Sequence, residues 1–198
     1  MAPCPLYEFL VGLDLGQSQD YTALCVAERV EAPTGKPHYH LRHLERFRLG
    51  TSYPAVMDRV GEMLAGPPLW GCSQLVVDGT GVGAPVVDMF RQKGLVPIAI
   101  TITGGDTVTG DRGNYRVPKR YLVSTMQVLL QAERLKVAEE LPDATVLVQE
   151  LLNFRVKIDP LTAHDSYGAW REGQHDDLVL ATAVACWYGE RQPGHGVW

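Results

Sequence analysis

Phe9-Leu-Val-Gly-Leu-Asp14 is an unbroken apolar run that ends on an acid, and Gln74-Leu-Val-Val-Asp78 repeats the arrangement further along the chain. A short continuous apolar run of this kind fits a strand covered on both faces, as in the middle of a parallel or mixed sheet. Both acids lead into glycine-containing turns, Asp14-Leu-Gly16 and Asp78-Gly-Thr-Gly81. Glycine there lets the backbone bend away and leaves room for a ligand. A third acidic element, His175-Asp-Asp-Leu-Val-Leu-Ala181, opens a helix that is apolar nearly all round from Leu178 to Cys186. Such a helix is buried, so its acidic start lies near the sheet.

Working outward, residues 9–15, 22–30 and 38–48 read as three strands joined by a polar turn at 16–20 and a Pro/Gly turn at 31–37. The third alternates with a slip. Residues 53–64 have helical spacing at Val56, Val60, Met63 and Leu64, and Gly66-Pro-Pro68 stops them. Residues 74–77 form a buried strand. Residues 82–93 form a helix with Gly94 as its C-cap, and residues 95–102 form another strand. Residues 103–117 read as a loop or hairpin. Pro118 suits the first position of a helix running to about Arg134. A shorter helix covers 144–152. Residues 153–158 and 166–170 are the arms of a hairpin around Asp159-Pro-Leu-Thr162, the last helix runs from His175 or Asp176 to about Tyr188, and 192–198 is a frayed tail. The order predicts an α/β fold: a mixed β-sheet made of a three-strand antiparallel meander plus parallel strands, flanked by helices on both faces. In such sheets ligands bind at the carboxyl ends of parallel strands. If the first strand lies beside the fourth, Asp14 and Asp78 are neighbours about 4.8 Å apart.

With 198 residues, a single domain spanning 1–198 is expected. No run of 18 apolar residues is present, which excludes a membrane-spanning helix. The apolar start has no basic leader and is interrupted by Asp14, which argues against a signal peptide. Cys4, Cys25, Cys72 and Cys186 contain no C-x-x-C pair, which argues against a zinc ribbon or a disulfide framework and for a reducing, intracellular setting. The net charge of -5 does not mark a general nucleic-acid binder, although an acidic site contributes part of it. Basic residues cluster at Arg42, Arg46 and Arg48, at Arg112, Arg116, Lys119 and Arg120, and at Arg155, Lys157 and Arg171. The first group reads as a solvated face; the other two flank the acids in chain order and suit phosphate contacts.

A single strand-end aspartate is ordinary turn chemistry, and an aspartate pair at a helix start is ordinary capping. One aspartate suffices as a cap, which leaves the other free to face elsewhere; spacing does not say which of Asp176 and Asp177 that is. Asp20, in the first turn, suits an Asx-turn or a supporting acid. His175 suits orienting a ligand rather than binding a metal directly. Held together, the acids repel: two like charges about 4 Å apart cost roughly 4 kcal/mol at an effective dielectric of ~20. A cation removes that cost, and an all-carboxylate set favours magnesium or manganese over zinc. Two such ions suit phosphodiester cleavage.

The segments Gly12-Leu-Asp-Leu-Gly16, Asp20-Tyr-Thr-Ala23, Val77-Asp-Gly-Thr-Gly-Val-Gly83, Leu151-Leu-Asn-Phe-Arg-Val-Lys157 and Gly173-Gln-His-Asp-Asp-Leu-Val-Leu-Ala181 together resemble the nuclease domain of tailed-phage terminase large subunits. The resemblance spans nearly the whole chain, and the His-Asp-Asp run is its most specific part. It implies an RNase H-like fold and a metal-dependent DNA endonuclease that cuts concatemeric viral DNA during genome packaging by a two-metal mechanism, with two Mg2+ or Mn2+ ions. By position, Asp14, Asp78 and Asp177 become the metal ligands, with Asp176 and Asp20 as supporting acids. Arg112, Arg116, Lys119, Arg120, Arg155 and Lys157 become the DNA-backbone contacts. The implied partners are double-stranded DNA, a packaging ATPase, the small terminase and the portal, without a membrane, in the cytoplasm of a phage-infected or prophage-carrying bacterial host. The family's motor is not encoded here: Pro33-Thr-Gly-Lys36 lacks the glycine spacing of a phosphate loop. Three other readings compete. An actin/hexokinase-like ATP-binding phosphotransferase fragment would use Asp14-Leu-Gly16 for phosphate but has no role for the His-Asp-Asp start. A Holliday-junction-type resolvase would share the metal site. A non-catalytic assembly module would have no reason to keep all the acids.

Overall fold

The computed structural model describes residues 7–16, 20–32, 35–81, 83–111, 113–158, 165–169 and 175–192. The first apolar run forms β1 (Tyr7–Asp14), paired antiparallel with β2 (Ala23–Val30), which pairs antiparallel with β3 (His38–Arg46). The expected meander is present. The slip in the third strand is a bulge: Val26 faces His43 and Ala27 faces Leu41, so Arg42 is the extra residue. The bulge keeps Tyr39, Leu41 and Leu44 buried in one core despite their uneven spacing.

The second run forms β4 (Ser73–Asp78), parallel to β1 on one side and to β5 (Ile98–Thr103) on the other. The Gly/Thr-rich stretch is a hairpin of β6 (Thr109–Asp111) and β7 (Asn114–Pro118), and β7 joins the sheet parallel to β5. A three-residue strand that the sequence pattern does not reveal, β8 (Leu135–Val137), lies parallel to β3 at the opposite edge. The sheet order is β6-β7-β5-β4-β1-β2-β3-β8. β9 (Phe154–Ile158) and β10 (Asp165–Ala169) form a separate antiparallel pair, matching the expected hairpin arms.

Among the described residues five helices flank the sheet: α1 (Tyr53–Ala65), α2 (Gly83–Gln92), α3 (Lys119–Gln131), α4 (Ala144–Asn153) and α5 (Asp177–Arg191). Ser52 caps α1, its hydroxyl accepting from the Ala55 amide at 3.4 Å. Gly94, in the left-handed region at φ 80°, ends α2 as expected. Two sequence expectations are corrected at α3. Pro118 precedes its first turn rather than occupying it. The helix also stops at Gln131, because Glu133 turns left-handed at φ 54° while the amides of Glu133 and Arg134 reach back to Leu130 and Leu129. This is a glycine-type helix stop carried by a glutamate, so no glycine marks it in the sequence.

Strand alternation sorts side chains into two cores. Val11, Leu13, Leu75 and Val77 face α1 and α2, with Val56, Val60 and Phe90 opposite. Leu10, Ala23, Cys25 and Val76 face α3, α4 and α5. Among the described residues no helix is long and apolar enough to cross a membrane. Cys25 and Cys186 are free and buried, but Cys72 is disulfide-bonded. That corrects the expectation drawn from cysteine spacing, since separation along the chain does not report distance in the fold.

Candidate active site

The parity that sends Leu10 and Val76 toward α5 also sends Asp14 and Asp78 there. The two acids are register partners in the parallel ladder of β1 and β4, one strand spacing apart. The condition for the two acids to be neighbours, the first strand lying beside the fourth, is met.

α5 brings the remaining acids over them. The helix lies across β1 at a distance set by small residues. A Cβ on Gly12 would stand 2.0 Å from the carbonyl oxygen of Ala181 and 3.0 Å from the Cβ of Ala185. The Cys25 thiol donates to the same Ala181 oxygen at 3.4 Å. Glycine at 12 is thus what permits the helix backbone to touch the strand. Asp177 is the first residue of α5 and Asp176 precedes it.

Three of the four acids, Asp78, Asp176 and Asp177, are held by donors. The Thr80 amide donates to Asp78 Oδ1 at 2.8 Å. Lys119, the first residue of α3, places Nζ 3.3 Å from Asp176 Oδ2. Arg46 Nη2 donates to Asp177 Oδ2 at 3.2 Å, and His175 Nδ1 lies 3.7 Å from the same oxygen. Burial dominates the electrostatics. It pushes the Asp14 carboxyl well above the usual carboxylate range, and the charges of Asp78, Asp177 and Asp176 push it further, with Lys119 offsetting them in part. Burial also raises Asp78 against the opposing pull of Thr80 and Lys119. It raises Asp177 against the pull of Arg46 and His175.

Several groups here are ones the sequence reading missed or misplaced. Arg46, expected on a solvated face, reaches into the site, bonds both Asp177 and Glu150, and stacks over the Tyr21 ring at 4.2 Å. Tyr21 in turn meets the His175 ring edge-on at 4.8 Å. Neither Asp176 nor Asp177 caps α5 through its side chain as expected. Glu150 of α4 does so, accepting from the amides of Leu178 at 2.9 Å and Val179 at 3.1 Å. A signal for Glu150 was present: it follows Ala144 and Leu147 on the buried face of its helix, and a charge in such a stripe needs a partner.

The other expected residues are spread more widely. Asp20 is exposed in the turn between β1 and β2. Arg116 is exposed on β7, and Arg120 binds the Asp106 carboxylate at 2.6 Å and its backbone oxygen at 2.7 Å. Lys119 belongs to the acid cluster itself and lies 5.4 Å from the centre of the Phe154 ring. Arg112 lies outside the described residues. Arg155 and Lys157 are on β9, and their side chains also lie outside what is described.

The donor set is hard oxygen, and four aspartates outnumber the two bases among them, Arg46 and Lys119. In charge and chemistry it fits a divalent magnesium- or manganese-class cation. Among the described residues, no three His, Cys, Asp or Glu side chains converge into a finished cage for one ion. Asp78, Asp176 and Asp177 are each turned to an amide or a base instead.

The chain's sequence matches a known family. A model of the terminase RNase H-like domain matches residues 11–187. The chain belongs to that family. Its fold resembles the large terminase nuclease of thermophilic phage G20c at 22% identity, with a TM-score of 0.65 over 91% of this chain and 82% of that one. The human cytomegalovirus terminase nuclease domain, in a Mn-soaked crystal, is 13% identical with a TM-score of 0.58, covering 100% of this chain and 89% of that one. The large terminase of bacteriophage HK97 is 15% identical with a TM-score of 0.59; 95% of this chain is covered but only 40% of that longer protein. No curated protein sequence matches the chain. As a terminase RNase H-like domain, the chain has the fold that its motifs implied.

Proposed function

We propose that the chain is a metal-dependent DNA endonuclease of the phage terminase large-subunit type, cleaving concatemeric viral DNA during packaging. The observation that carries this reading is the pairing of Asp14 with Asp78 beneath the α5 start that bears Asp176 and Asp177, in a member of this family. Asp14, Asp78 and Asp177 are the residues to hold Mg2+ or Mn2+, two ions in all, with Asp176 and Asp20 in support and His175 orienting Asp177. When bound, such ions supply an activated water and stabilise the leaving oxygen of a phosphodiester.

The chain's own groups set the conditions for that chemistry. Burial makes the cluster of acids costly when ionised and unpaired, which gives it a strong demand for positive charge. Lys119 and Arg46 meet only part of that demand. Lys119 Nζ, 3.3 Å from Asp176 Oδ2 and partly exposed, would exchange that carboxylate for a DNA phosphate. Arg112, Arg116, Arg120, Arg155 and Lys157 are assigned to the DNA backbone, so recognition is largely independent of sequence. Residues 1–198 act as one nuclease domain; double-stranded DNA is its substrate, and a packaging ATPase, small terminase and portal are its partners in the bacterial cytoplasm.

Supercoiled-plasmid cleavage with Mn2+, Mg2+ or EDTA, comparing wild type with Asp78→Ala, tests the reading. Metal-dependent nicking that disappears in the variant supports it. A folded wild type that does not nick under either metal, alone or with its packaging ATPase, removes it.

A further inference from the structure

Glu150 is the anomalous residue of α4. Ala144 and Leu147 bury the apolar side of that helix, and Glu150 continues the same side, only 5% exposed. Both of its carboxylate oxygens are engaged. Oε2 accepts from the amides of Leu178 and Val179, at 2.9 and 3.1 Å. Oε1 accepts from Arg46 Nη2 at 3.0 Å. Every one of these contacts is donated to Glu150, so the residue serves as an acceptor.

The two amides belong to the first turn of α5, where backbone donors have no partner within the helix. Asp176 occupies the capping position without a side-chain bond to that turn. A carboxylate from a different helix therefore fixes where α5 begins, and Asp177 is its first residue. The same Arg46 nitrogen lies 3.2 Å from Asp177 Oδ2. One guanidinium nitrogen is thus shared between Glu150 and Asp177. With Glu150 charged, Arg46 is divided between two acids. Without it, the guanidinium falls wholly to Asp177, and an acid neutralised by an arginine is a poor ligand for a cation.

We infer that Glu150 is a positioning residue for the acid cluster: it anchors the start of α5 and draws Arg46 off Asp177, so that Asp177 keeps the placement and the negative charge needed to hold a divalent cation. This rests on the reading of Asp177 as a metal ligand given above.

The test is Mn2+ binding by the full chain, measured by calorimetry, with circular dichroism and melting in EDTA recorded for each variant. Glu150→Gln is the informative change. Its amide oxygen can still accept from Leu178 and Val179, but its NH2 cannot accept from Arg46. This variant should fold as wild type does and bind Mn2+ about tenfold or more weakly, the usual consequence of removing a group that orients a ligand. Glu150→Ala should lose the same affinity and melt lower as well. In an Arg46→Gln background the effect of Glu150→Gln should vanish, because no guanidinium remains to be diverted. Arg46→Gln alone should bind Mn2+ at least as tightly as wild type. Wild-type affinity in Glu150→Gln, beside a clear loss in Asp177→Asn, overturns the role of Glu150 and leaves the site reading standing. Wild-type affinity in Asp177→Asn overturns both. Weakened binding by Arg46→Gln alone, or an undiminished effect of Glu150→Gln in its background, overturns the route through Arg46.

Discussion

Asp14 and Asp78 occupy one rung of the parallel ladder between β1 and β4, with their side chains on the α5 face. Their shared burial is what raises both carboxyls. Asp78→Asn removes one of the two charges while keeping the shape. It should abolish metal-dependent plasmid nicking. In EDTA it should raise stability by about 1 kcal/mol, or about 2–4 °C in Tm, because a buried like-charge pair is relieved. Wild-type nicking together with an unchanged melting temperature would remove Asp78 from the site.

Stability should depend on pH in a direction set by the same burial. The carboxyls of Asp14, Asp78 and Asp177 are raised, and burial pushes Glu150 from the ordinary value of 4.5 up to about 7. An acid with a raised folded pKa binds its proton more tightly in the folded state. Its stabilising contribution is complete below its unfolded pKa and is lost as pH rises through the folded one. Melting temperature in EDTA should therefore fall as pH rises from the ordinary glutamate value of 4.5 to about 7. Mn2+ binds the ionised acids, so the gain in Tm on adding it should grow over the same range. Paired melts with EDTA and Mn2+ measure both. A metal-free Tm that climbs across this window would contradict the burial of these acids.

Gly12 sets the distance between β1 and α5. Gly12→Ala puts a methyl 2.0 Å from the Ala181 carbonyl oxygen, which belongs to helix backbone and cannot rotate away. The helix must shift, at a cost of roughly 1–3 kcal/mol. Since Asp177 rides on that helix, Mn2+ affinity should fall along with Tm. A variant that melts lower yet binds Mn2+ normally would show that the acid geometry tolerates movement of α5.

The far end of α5 provides a control. Glu190 accepts from Arg134 through both oxygens, at 3.0 and 2.5 Å, and from the Tyr39 hydroxyl at 2.8 Å. Arg134 also donates to the Pro37 oxygen at 2.8 Å, so this clamp ties α5 to β3 and to the turn before β8. Glu190→Gln should cost about 2 kcal/mol, the scale of a charge-assisted hydrogen bond. Mn2+ affinity should stay unchanged, because the substitution is at the opposite end of the helix. Calorimetry beside thermal melts separates the two effects.

Much of the fold was legible because local pattern and final position agree. The runs ending at Asp14 and Asp78 became adjacent central strands, and Gly94 ended α2 where a glycine stop was expected. The slip in the third strand announced the bulge at Arg42. The misreadings came where a signal was absent or too short. Glu133 adopts a glycine-like conformation without being glycine, so nothing local marks the end of α3 at Gln131. β8 has three residues, fewer than a period-two pattern needs to show itself. A charge on an alternating strand usually lies at the surface, and the reach of Arg46 to Glu150 and Asp177 depends on two helices far along the chain.

The amino-acid sequence by itself determined the strands and helices that carry the acids, and it determined the donor chemistry. Apolar periodicity and the oxygen ligands of aspartate are properties of neighbouring residues. Tertiary structure alone decided that β1 lies beside β4 in the register that pairs Asp14 with Asp78. It also decided that Glu150 rather than either aspartate caps α5, and that Lys119 and Arg46 sit among the acids rather than on the surface. Those outcomes depend on long-range packing, the close approach of Gly12 to Ala181 above all, which no local spacing records.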